Sequence, residues 1–93
     1  MRIVGDIPHP QLKITIFLHD SKYSVKFESG LYEQTYKFRS GGAVDSVDAI
    51  KAIVDDTFIQ YVLNTLPTMH QQKMQAVSRW MESQASFEFE EII

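Results

Sequence analysis

Cysteine is absent from the 93 residues, which excludes disulfides, thiol nucleophiles and cysteine-ligated metals on chemical grounds. Long apolar runs are missing too. No stretch approaches the roughly 18 residues of a membrane-spanning helix, and Met1-Arg2-Ile3-Val4-Gly5-Asp6 lacks the apolar centre of a signal peptide. The expectation is a cytoplasmic chain with no membrane partner. Glycine and proline are scarce, at four and three residues, and the glycines form no phosphate-binding loop.

What is present suits a folded domain: 44% of residues are hydrophobic and 23% charged, too apolar for disorder. The length fits a single α+β domain over residues 1–93. A chain this short buries only roughly 60 to 65% of its unfolded surface, which favours a partner or a second copy that covers more. The net charge of −3 is uneven: residues 1–40 carry six Lys or Arg against four Asp or Glu, and residues 41–93 carry three against eight, giving +2 and −5. Such asymmetry either steers a charged partner or reflects two halves that complement each other.

From Leu12 to Arg39 the pattern has period two. Leu12, Ile14, Ile16 and Leu18 share one face and Lys13, Thr15, Phe17 and His19 the other, as in a half-buried strand. After the turn residues Asp20-Ser21, Tyr23, Val25 and Phe27 alternate with polar neighbours. Beyond Ser29-Gly30, Tyr32, Gln34, Tyr36 and Phe38 do the same. This predicts a three-stranded antiparallel meander with one apolar face. Residues 1 to 4 offer a short edge strand, with irregular backbone around Pro8 and Pro10.

Ser40-Gly41-Gly42 interrupts the alternation, and Asp45 offers an N-cap for a helix from Ser46 to the proline at 67. Val47, Ile50, Val54, Phe58, Tyr61 and Val62 form its main stripe; Ala52, Ile59, Leu63 and Leu66 fall outside it, so this helix needs two neighbours. Thr68 and Gln71 have capping-box spacing for a second helix to about Ser83. Met69, Ala76, Val77, Trp80 and Met81 lie on one arc; for Met69, Met74, Trp80 and Met81 core packing is the simpler reading than an adaptable binding surface, and Lys73 sits inside that arc with its stem on apolar surface. Ser86 to Ile92 alternates with period two and predicts a C-terminal fourth strand. The expected order is β-β-β-α-α-β, an antiparallel sheet with two helices packed on one face.

No constellation announces chemistry. His9, His19 and His70 have no second ligand at metal spacing. Asp55 and Asp56 point about 100° apart on a helix and read as a solvated face. No nucleophile elbow accompanies the serines. The expectations are no cofactor, no metal and no catalytic residue. The leading reading is a non-catalytic protein-interaction module, with a homodimer as one form of it. Its contact surface is drawn from Lys13, Phe17, His19, Lys26, Lys37 and Arg39 on the polar sheet face, or from Ile59 and Leu63 on the far side of the first helix. A second reading is nucleic-acid binding by that basic face around Phe17. Against it stand the low pI and the acids Glu28, Glu33, Glu88 and Glu90, the last two brought in by the expected fourth strand. A third is a small-ligand carrier or enzyme with a pocket between sheet and helices, near Tyr23, Tyr32, Tyr36, Tyr61 or His70.

Overall fold

A computed structural model describes the backbone of residues 1–92 and the side chains of residues 1–85. Four strands come first: β1 Arg2–Ile7, β2 Lys13–His19, β3 Lys22–Ser29 and β4 Tyr32–Arg39. Two helices follow, α1 Val47–Ile53 and α2 Asp56–Ile92. The strands form one antiparallel sheet in the order β1-β2-β3-β4, so the fold is α+β. The turns explain the meander. Asp20 and Ser21 both have positive φ, 46° and 60°, the backbone of a type I′ hairpin whose twist matches its strands. Gly30, at φ 59°, opens the two-residue turn before β4.

The sheet buries one face. Ile14, Ile16, Val25 and Phe27 are 0 to 2% exposed, and register puts Ile16 opposite Val25 and Ile14 opposite Phe27. Ile50 and Val54 meet them from the α1 region, and Ile59 and Val62 from the start of α2. Gly5 lies under α1 at close range: a methyl group there would come within 3.1 Å of Val47 Cγ1, tighter than ordinary contact. Phe27 stacks on Phe58 at 5.5 Å, and Tyr36 meets Phe58 edge-on at 5.0 Å. Gln34 Nε2 donates to the Val62 carbonyl at 3.0 Å, tying β4 to α2.

The helical part departs from the sequence expectation in three ways. First, the expected helix over 46–66 is two helices. Ser46, one residue past the expected cap, accepts from the Ala49 N–H at 3.1 Å. α1 ends at Ile53 with Val54 as its C-cap, and Asp55 then caps α2 by accepting from the Phe58 N–H at 2.9 Å. This break resets the helical phase, which turns Ile59 onto the buried stripe three residues before Val62. Second, Pro67 lies inside α2 instead of ending it, so Thr68 and Gln71 are mid-helix residues and not a capping box. Third, the fourth strand is β1 at the N-terminus, while residues 86–92, expected to be a strand, continue α2. The side chains of Phe87, Glu88, Phe89 and Glu90 lie outside those described.

The chain divides into two compact units, Met1–Leu63 and Asn64–Ile93. The first holds the sheet, α1 and the opening turns of α2. The second is the remainder of α2.

Candidate interaction surfaces

The polar face of the sheet can be assembled row by row from the strand register. Lys13, Glu28 and Glu33 lie side by side, then Asp6, Thr15, Lys26 and Thr35, then Ile3, Phe17, Ser24 and Lys37, and finally His19, Lys22 and Arg39. This brings together six of the sequence-derived candidates: Lys13, Phe17, His19, Lys26, Lys37 and Arg39. Phe17 is half-buried, with the Lys26 ammonium 5.3 Å from its ring centroid. Lys26 also pairs with Glu28 at 3.0 Å, and His19 pairs with Asp20 at 3.2 Å. Thr15 and Ser24 are only 6% and 7% exposed on this face.

Ile59 and Leu63 are not on a free helix face. Ile59 is 8% exposed in the core, and Leu63 is half-buried. The helical phase change at Val54 and Asp55 put them there, and periodicity counted through an unbroken helix misses it.

Electrostatics divide the sheet face in two. Glu28 has Lys13 opposite on β2 and the Lys26 ammonium beside it. Toward β4, however, its direct partner is Glu33, and Lys22 directly faces Arg39. Like charges placed opposite across strands are destabilising. Glu33 and Arg39 of β4 therefore have like charges directly opposite them on β3.

In the second unit, Met74, Val77, Trp80 and Met81 are 44%, 39%, 64% and 60% exposed. At helical spacing they occupy an arc of about 120°, which His70 and Lys73 share. Gln71, Gln75, Ser78, Arg79 and Glu82 lie on the other side of the helix. Met69 is half-buried. The expectation that this group packs as core is thus corrected for Met74, Val77, Trp80 and Met81: in this chain they face solvent.

Cavities are surface features. One, of about 810 Å³, lies at the β2–β3 turn beside Arg2, His19, Ser21 and Asp45. A smaller one of about 230 Å³ is lined by Tyr36, Phe58, Tyr61 and Val62 beside β4. Among the described residues, no cluster of three His, Asp or Glu side chains is placed to hold a metal ion. No described helix is long and apolar enough to cross a membrane. No family model, curated protein or solved structure matches the chain.

Proposed function

We propose that the chain is a non-catalytic protein-interaction module whose second unit offers an apolar helix arc to another protein chain. The observation that carries this reading is the exposure of Trp80 and Met81, at 64% and 60%, on one side of a helix that is polar on the other. Adjacent large apolar side chains in solvent mark contact surfaces more often than isolated ones do, and a tryptophan is the commonest kind of anchor for such a contact. The interior between sheet and helices supports a binding role over a ligand-carrying one. Ile14, Ile16, Phe27 and Ile50 fill it, each 2% exposed or less. Trp80 is the only tryptophan, so its fluorescence reports on this arc directly. A partner retained by the full chain should blue-shift that emission and be lost from Trp80→Glu and Met81→Glu, with the thermal stability of the first unit unchanged. Equal retention by the wild type and both variants would remove the arc from the interface.

One observation favours a second reading, nucleic-acid binding by the sheet. Glu88 and Glu90, expected to neutralise the polar face, belong to a segment that continues α2. That face is left with Lys13, Lys22, Lys26, Lys37 and Arg39 against Asp6, Glu28 and Glu33. The Lys26 ammonium over the Phe17 ring works against base stacking there. A titration with labelled single strands decides the matter: binding through phosphates weakens steeply between about 50 and 200 mM salt, and an absence of binding at the lower salt ends this reading.

A further inference from the structure

The two edges of the sheet differ. β1 carries a bulge between Ile3 and Gly5, which breaks the regular spacing of backbone groups a neighbouring strand would need. β4 pairs with β3 from Ser29↔Tyr32 to Lys22↔Arg39 with no register shift and contains no proline. Its two-residue turn makes Ser29↔Tyr32 a hydrogen-bonded pair, so Tyr32, Gln34, Tyr36 and Phe38 bond inward to β3. The Ser40 N–H, donating to the Ser21 carbonyl at 2.9 Å, continues that parity. The N–H and C=O groups of Glu33, Thr35, Lys37 and Arg39 therefore point outward, and all four residues are exposed.

The order of charges along that edge is self-complementary. When a second β4 is laid antiparallel against the first with Tyr36 on the two-fold axis, Glu33 falls opposite Arg39 of the other copy, and Thr35 falls opposite Lys37. These are outward-bonding positions on both strands, so the ladder closes. Glu33 faces Glu28 within its own chain, and Arg39 faces Lys22; a second copy supplies each with the opposite charge it lacks. On the other sheet face, Tyr36, 39% exposed, would meet its counterpart as a close non-hydrogen-bonded pair. The two shallow apolar cavities at Tyr36, Phe58 and Tyr61 would then adjoin.

We propose that the outer edge of β4 is a self-recognition strand, which pairs two copies of this chain into one continuous eight-stranded sheet. This deepens the interaction reading by naming a second copy as partner, through a surface separate from the Trp80 arc. Light scattering on the full chain should show a particle of twice the 10.7 kDa chain mass. Glu33→Arg and Arg39→Glu each turn two attractive cross-strand pairs into repulsive ones, which should weaken association about tenfold. Within one chain the same changes oppose Glu28 and Lys22 with the opposite charge, so the thermal stability measured at dilutions where the wild type is monomeric should hold or rise. Combining E33R with R39E should restore the dimer. Thr35→Pro removes an outward N–H without touching the β3 ladder and should give a folded monomer. A wild-type chain that stays monomeric up to its solubility limit overturns the strand pairing and leaves the interaction reading with a different protein as partner. A dimer indifferent to E33R, R39E and T35P also overturns it, and its loss in Trp80→Glu would place the contact on the α2 arc.

Discussion

Asp20 and Ser21 hold left-handed backbone that side-chain-bearing residues adopt at a cost of roughly 1 kcal/mol or more each, in a turn where Asn-Gly is the preferred pair. Ser21→Gly should therefore raise stability by about 0.5 to 1 kcal/mol, read from a chemical denaturation midpoint. Gly5 is the opposite case. Gly5→Ala brings a methyl to 3.1 Å from Val47 Cγ1, so the Val47 side chain must give by a few tenths of an ångström; a lowered denaturation midpoint shows that it is held, and an unchanged one that it yields. At this scale the sequence was partly legible. Leu12, Ile14, Ile16, Tyr23, Val25 and Phe27 were readable as core because strand alternation assigns each side chain to a face. Asp55 was not readable as a helix cap. Its neighbour Asp56 and the apolar residues on either side fit an uninterrupted helix equally well, and only the accepted Phe58 N–H distinguishes the two.

At the scale of elements, β2, β3 and β4 fall where alternation and turn residues put them, and the irregular stretch at Pro8 and Pro10 does as well. The helices were less legible, because helix boundaries follow cooperative hydrogen bonding that a local pattern does not contain. Pro67 illustrates this. It removes one backbone bond, to the Leu63 carbonyl, yet α2 runs through it. Pro67→Ala should stabilise α2 by up to about 3 kcal/mol, seen as a higher melting point by far-ultraviolet circular dichroism. The Phe-Glu alternation of 86–92 has the period of a strand, but seven residues also fit the end of a helix. The place beside β2 belongs to β1, whose own pattern is interrupted by Gly5 and so is weak in sequence.

Across the whole molecule, the charge asymmetry takes on a different meaning. Complementarity between the basic meander and an acidic last strand explained it in sequence, but that strand is helix, and the sheet face keeps its excess of cations. The placement of the candidate residues was legible on the sheet and not on the helix: the polar residues from Lys13 to Arg39 share one sheet face as alternation puts them, while Ile59 is buried and Leu63 half-buried because the break at Val54 and Asp55 resets the helical phase. A sheet that pairs with itself also couples folding to concentration. The melting temperature should rise as the protein is concentrated, and scanning calorimetry over a dilution series that shows no trend would argue for a monomer.

The bulge at Val4 gives the sheet a direction of growth. A sheet with two receptive sides can add copies without end, which is how edge-to-edge contacts lead to fibres. Here the register slips between Ile3 and Gly5 on one side, and Pro8 follows closely behind. Were two copies to pair through β4, that pairing would consume the regular side of each, assembly would close at two, and both ends of the joined sheet would be of the irregular kind. A substitution that regularised β1 would put at risk solubility, and not the fold.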